Sequence, residues 1–91
     1  MRRLCYKGKK NLIAMQLKLM RVKKDVSQKE LAARMQVLGT SIDQQAISNI
    51  ENNKRIVTDY ELACFCTALR CTERELLQDF YDKLGKLGTE D

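Results

Sequence analysis

The side chains best placed to do chemistry are three amides, Gln44, Gln45 and Asn49, which follow Asp43 within about a turn and a half of helix. A planar amide carries a donor and an acceptor side by side. It therefore pairs bidentately with the major-groove edge of adenine, giving a hydrogen to the ring nitrogen and taking one from the exocyclic amine, and such a pair discriminates by about 1–3 kcal/mol. The chemistry requires the amides at the leading end of a helix that enters the groove. Asp43 is a suitable cap for such a helix. A plain solvated helix face would carry the same residue types, so the surrounding chain must decide between the two.

Other chemistries find little support. The sequence has no histidine and no glycine-rich phosphate loop. Asp79 and Asp82 fall on the outer side of an amphipathic helix, where solubility explains them. Of the four cysteines, Cys64 and Cys66 would project about 200° apart on a helix, against the convergence that zinc requires. Cys66 and Cys71 read as core residues and Cys5 lies in a basic segment, all four reduced. The expectation is a protein that is not an enzyme and has no metal and no cofactor.

Ninety-one residues, 44% apolar and 32% charged, suit one globular domain. Proline is absent and glycine scarce, which favours helix throughout, and five aromatics leave the core mostly aliphatic. The net charge of +5 is unevenly spread. Residues 1–24 hold nine basic residues and no acid, whereas residues 25–91 hold eight basic against twelve acidic ones. A one-sided basic segment is the footprint of a polyanion partner; a solvated basic face would look the same. No apolar run approaches the ~18 residues of a membrane span, and no signal segment follows the basic N-terminus. The expected location is cytoplasmic.

The elements that must position the amides can be read in turn. Residues 1–10 form a basic arm. A first helix is predicted over residues 11–24, with Asn11 as cap and a stripe of Leu12, Met15, Leu19 and Val22 widened by Ile13, Leu17 and Met20. Ser27 and Glu30 form a capping box that opens a second helix. Leu31, Ala32, Met35 and Leu38 are its predicted buried face, and it runs through Val37 and Leu38 to a stop at Gly39. The third helix is expected over residues 44–52, with Ile42 and Ile47 as a hydrophobic staple, Ala46, Ile47 and Ile50 inward, and Asn53 as terminator. Thr58 with Glu61, and Thr72 with Glu75, are two more capping boxes. The first opens a helix that buries Leu62, Phe65, Cys66 and Leu69. The second opens one that carries Leu76, Leu77, Phe80, Tyr81 and Leu84. The domain is thus expected over residues 11–84 with a loose tail at 85–91.

The segments Ser27-Gln28-x-Glu30-Leu31-Ala32 and Ile47-Ser48-x-Ile50-Glu51-Asn52, with the pairs Ala68-Leu69 and Leu76-Leu77, resemble the Cro/repressor (XRE) helix-turn-helix family, which includes the lambdoid phage repressors. The resemblance spans residues 12–77. It implies an all-α fold, a compact five-helix bundle of the lambda-repressor-like type, with the helix-turn-helix at helices 2 and 3 and the third helix in the major groove. By that match Gln44, Gln45 and Asn49 read bases. Gln28, Ser48, Asn52, Lys54 and Arg55 bind phosphates, Gln28 also buttressing the third helix. Arg21 and Glu51 form a structural ion pair. The implied function is a sequence-specific, double-stranded DNA-binding transcriptional regulator, a repressor on a palindromic operator, acting as a homodimer through the Phe80, Tyr81 and Leu84 stripe. An antitoxin-type autoregulator with a protein partner, or an interaction module that has lost base reading, remains the alternative. Three departures stand out: a connection between helices 2 and 3 several residues longer than the usual turn, Asn53 where glycine is common, and Val57 where proline is common.

Overall fold

Six helices form among the described residues, and their buried side chains gather in one core that includes Phe65. In the computed structural model residues 7–88 are described, with side chains as far as residue 85. The helices are α1 (Ala14–Lys23), α2 (Gln28–Val37), α3 (Gln44–Glu51), α4 (Asp59–Leu69), α5 (Glu73–Leu76) and α6 (Gln78–Gly88). Leu17, Leu31, Met35, Ile42, Ile47, Ile50, Phe65 and Leu76 are wholly buried, so the centre is aliphatic around a single ring. The fold is all-α among the described residues, a helical bundle in which α2 packs against both α3 and α4. The first six residues of the basic arm, Cys5 among them, lie outside the described residues.

The first helix starts later and faces differently than its hydrophobic stripe suggests. It begins at Ala14, without a side-chain cap. Asn11 is instead buried, its Nδ2 donating to the carbonyls of Ile50 (3.0 Å) and Arg55 (2.9 Å) while its Oδ1 accepts from the Ile13 amide (3.0 Å). Met15, Leu19 and Val22, expected in the core, are 68%, 54% and 59% exposed. The inward line is Ile13, Leu17 and Arg21, because Arg21 reaches across to Glu51 at 2.8 Å. Fixing that polar contact rotates the helix and turns the 15–19–22 line outward.

The second helix is capped by Ser27, whose hydroxyl accepts from the Glu30 amide at 3.0 Å. The expected box is only half made, since the Glu30 carboxylate pairs with Arg34 one turn on (2.6 Å). The helix stops at Val37, and Leu38, expected in the core, is 40% exposed. The long connection that follows is ordered by its own bonds. Gly39 takes a left-handed φ of 97°, which glycine adopts without cost. Its N–H donates to the Gln36 carbonyl and the Thr40 N–H to the Met35 carbonyl, the paired closure of a Schellman motif. Thr40 Oγ1 donates to Met35 and accepts from the Ile42 amide, and Gln36 Nε2 donates to the Ile42 carbonyl. Ile42 thereby returns to the core beside Ile47.

Both later capping boxes are reciprocal, at Thr58 with Glu61 and at Thr72 with Glu75. The C-terminal carbonyls of α4 are held by cations from two other elements. Lys24 Nζ donates to Leu69 (2.6 Å) and Arg70 (2.9 Å), and Arg34 Nη1 donates to Ala68 (2.9 Å). The expected fifth helix is split at Leu77, which caps α5 before α6 begins. Helix α6 then continues to Gly88, past residue 85 where the loose tail was expected. Gly85 has open space around it and does not break the helix, and bonds one turn apart, Gln78 to Asp82 (2.7 Å) and Lys83 to Asp79 (3.4 Å), support the preceding turns.

Candidate nucleic-acid interface

The site is built from the N-terminus of α3. Asp43 Oδ1 accepts from the Ala46 amide at 2.8 Å, which satisfies an otherwise free donor and fixes where the helix begins. Ile47 and Ile50 are wholly buried, so the helix cannot roll about its axis without exposing them. With that side pinned, Gln44, Gln45 and Asn52 lie exposed and Ser48 and Asn49 are half-buried along the same outer strip. Gln45 Nε2 donates to Asn49 Oδ1 at 3.2 Å, so two of the three amides hold one another in place. The Gln44 amide has no intramolecular partner among the described residues and is free for another molecule. Asn52 Nδ2 donates to the Ser48 carbonyl (2.9 Å) and lies 3.4 Å from its hydroxyl.

Glu51, the last residue of α3, joins three elements. Arg21 grips it with both arms of the guanidinium, Nε to Oε2 at 2.8 Å and Nη2 to Oε1 at 3.1 Å. The same arginine donates to the Val26 carbonyl (3.0 Å). Gln28, the first residue of α2, adds its amide to Glu51 Oε1 at 3.1 Å. The start of α2 is thus tied to the end of α3 through a carboxylate only 3% exposed. One hydrogen of the Gln28 amide is spent on this bond, and the second remains for another acceptor.

The loop after α3 separates two cations that share a label in the sequence. Asn53 closes the helix in the left-handed conformation (φ 61°), with the Lys54 amide bonded back to the Asn49 carbonyl at 2.7 Å. Lys54 is exposed, and its ammonium has no ion pair among the described residues. Arg55 is engaged within the fold. Its Nη1 and Nη2 donate to the two oxygens of Glu61 at 3.0 and 3.1 Å, and Nη1 also donates to the Ile56 carbonyl. The hydrogen-bonded pair holds the Arg55 pKa above, and the Glu61 pKa below, their ordinary values. Glu61 was read from sequence only as a backbone cap. Its fit as a partner was visible in principle, since an arginine six residues before a helix-start glutamate stands just outside the same helix end. Asn11 and Asn53, which fasten the preceding segment to this loop, carried no such signal.

The cysteines are remote from this surface in character. Burial pushes the Cys66 thiol up to about 12 and raises that of Cys71 as well, which suits inert packing residues. Among the described residues no cluster of three potential metal ligands occurs.

Two helices locked at one end by a shared carboxylate, the second presenting an amide strip and followed by the exposed Lys54, define a helix-turn-helix DNA-binding domain. The helix-turn-helix family model matches residues 17–76, which begin in the core of α1 and end at the last residue of α5. The chain belongs to that family, in its Cro/repressor (XRE) branch, and is a DNA-binding transcription regulator of that type. No curated protein sequence is similar enough to the chain to count as a relative. No helix among the described residues is long and apolar enough to cross a membrane.

Proposed function

We infer that the protein is a cytoplasmic, sequence-specific repressor that binds a palindromic operator in double-stranded DNA as a homodimer. The observation that carries this reading is the outer strip of α3, where a free Gln44 and the bonded pair Gln45–Asn49 present flat amides beside a capped helix N-terminus. In the proposed complex these three residues read base edges. Gln28 offers its second amide hydrogen to a phosphate, and Ser48, Asn52 and Lys54 position the backbone without specifying sequence. Arg55 braces the phosphate-binding loop against Glu61 with three of its five donors, and its Nε and the second hydrogen of Nη2 remain to meet a phosphate.

One helix reads only a few base pairs, so two half-sites about 10 base pairs apart are needed for selectivity. The contact between protomers is assigned to α6, where Tyr81 and Leu84 are 38% and 44% exposed and Arg74 lies over the Tyr81 ring at 5.0 Å. A second reading, an autoregulator of antitoxin type with a protein partner, is favoured by one specific observation. Met15, Leu19 and Val22 form an exposed apolar line on α1, on residues that take no part in the amide strip.

Selection from a random duplex pool tests the primary reading. Enrichment of an inverted repeat, lost when Gln44 and Gln45 are both replaced by alanine in a chain that still folds, is the expected result. A pool that enriches no sequence refutes sequence-specific regulation. Enrichment of a single unrepeated site refutes the dimer.

A further inference from the structure

The basic segment that precedes α1 is fastened to the far end of the proposed recognition helix by a residue that a simple turn would not need. Asn53 holds a φ of 61°, a conformation that glycine fills more easily. Its side chain does what glycine could not: Oδ1 accepts from the Lys10 amide at 2.7 Å, and Nδ2 donates to the Gly8 carbonyl at 3.2 Å. Asn11 adds two bonds to the same region, to the carbonyls of Ile50 and Arg55. Four hydrogen bonds thus hold residues 8–11 against the last turn of α3 and its following loop. Lys9 turns toward Asp79 on α6, 3.8 Å away. Lys10 is exposed, and its ammonium has no ion pair among the described residues, as is true of Lys54 in the same loop region.

We propose that Asn53 is a positioning residue that holds Lys10 at a DNA phosphate near the one taken by Lys54, extending the backbone grip beyond the C-terminal end of α3. The ligand is the phosphodiester backbone rather than a base edge. An ammonium is a compact point charge without the paired donor and acceptor that base reading requires. This contact rests on the DNA-binding reading and adds to it a residue outside the helix-turn-helix. The latch itself makes no contact with DNA; it fixes the main chain from which Lys10 projects.

The test compares the parent chain, Lys10→Gln, Asn53→Gly and the double variant for binding to one labelled duplex by fluorescence anisotropy. Loss of one phosphate contact per protomer, two per bound dimer, lowers the steepness of log K against log salt by about 1.8, so the parent-to-K10Q affinity ratio should shrink about 12-fold between ~50 and ~200 mM salt. The ratio should be the same on a selected and an unrelated duplex. Asn53→Gly keeps the left-handed turn and removes only the latch. In that background K10Q should cost much less than in the parent, because an unlatched Lys10 no longer sits at its phosphate. An unchanged salt slope in K10Q overturns the proposal, as do costs that simply multiply in the double variant. K10Q is a surface change and reads the slope even if N53G proves unstable. A parent chain that binds no duplex overturns both this proposal and the DNA-binding reading, whereas a parent that binds with an unaltered K10Q slope overturns this proposal alone.

Discussion

Replacing Glu51 by methionine should destabilise the domain far more than any surface change, and replacing Arg21 as well should restore much of the loss. Glu51 is 3% exposed at its side chain and Arg21 12%, so E51M strands a guanidinium with little access to water. Breaking a buried pair from one side costs about 3–5 kcal/mol, because the remaining charge stays uncompensated. Arg21 keeps one acceptor, the Val26 carbonyl, and some solvent, which places the expected loss near the lower limit, about 3 kcal/mol. Urea unfolding followed by circular dichroism reads this directly. With a slope of about 1 kcal/mol/M for a chain this size, the midpoint should fall by about 3 M at unchanged slope. In the double variant R21M/E51M the stranded charge is gone and two apolar side chains fill the space, so the midpoint should recover by more than half. A single-variant loss below about 1 kcal/mol, within the range of an exposed pair, would refute the reasoning. So would a double variant no better than E51M. Gln28 loses its anchor in both variants, so DNA affinity should fall even where stability recovers.

Asp43→Ala removes the cap of α3 and should cost about 1 kcal/mol in thermal or urea unfolding, with a larger proportional fall in DNA affinity than in stability because the amides sit in the first turns. The Arg55–Glu61 pair sets a pH dependence. Glu61 is held below its ordinary pKa, so the stability it contributes is fully present above the unfolded carboxylate value of about 4.3 and is lost as pH falls through the lowered folded value; Arg55→Met should flatten that acid limb in urea titrations at stepped pH, and a limb of unchanged steepness would count against the pair. The buried Cys66 thiol, its pKa raised by burial, should react with maleimide at neutral pH far more slowly in the folded chain than in urea, as followed by mass spectrometry of the labelled peptide.

What could be read from the sequence follows the range of the forces concerned. The starts of α3, α4 and α5 are written in Asp43, Thr58 with Glu61, and Thr72 with Glu75, because a cap bonds to amides two or three residues away. The facing of α1 was not legible in its hydrophobic periodicity, although the family resemblance implied the Arg21–Glu51 pair that sets it. Hydrophobic periodicity counts Arg21 as outward, and only its contact with Glu51, thirty residues on, turns it in and leaves Met15, Leu19 and Val22 outside. Asn11 looked like a cap because caps are local, whereas its amide is spent on carbonyls at residues 50 and 55. Arg55 illustrates a choice that residue type alone cannot make, since a guanidinium suits a phosphate and a carboxylate equally well. Beyond residue 84 apolar periodicity stops, but α6 runs on to Gly88, since a glycine in an exposed helix costs only about 1 kcal/mol.

The connection between α2 and α3 has a consequence for how such a domain could change. The polar bonds that shape residues 38–42 run within that stretch or back to the last turn of α2, at Arg34, Met35 and Gln36, and only Ile42 enters the core. The stretch therefore behaves as a cassette whose two ends are set by its own chemistry. Sequence drift at its exposed positions, Leu38 and Ser41, should leave the pitch of α3 unaltered. Exchange of the whole block, with Ile42 retained, becomes a way to re-aim the amide strip without touching a residue proposed to contact DNA. Altered operator preference could then arise from a joint rather than from a reading residue.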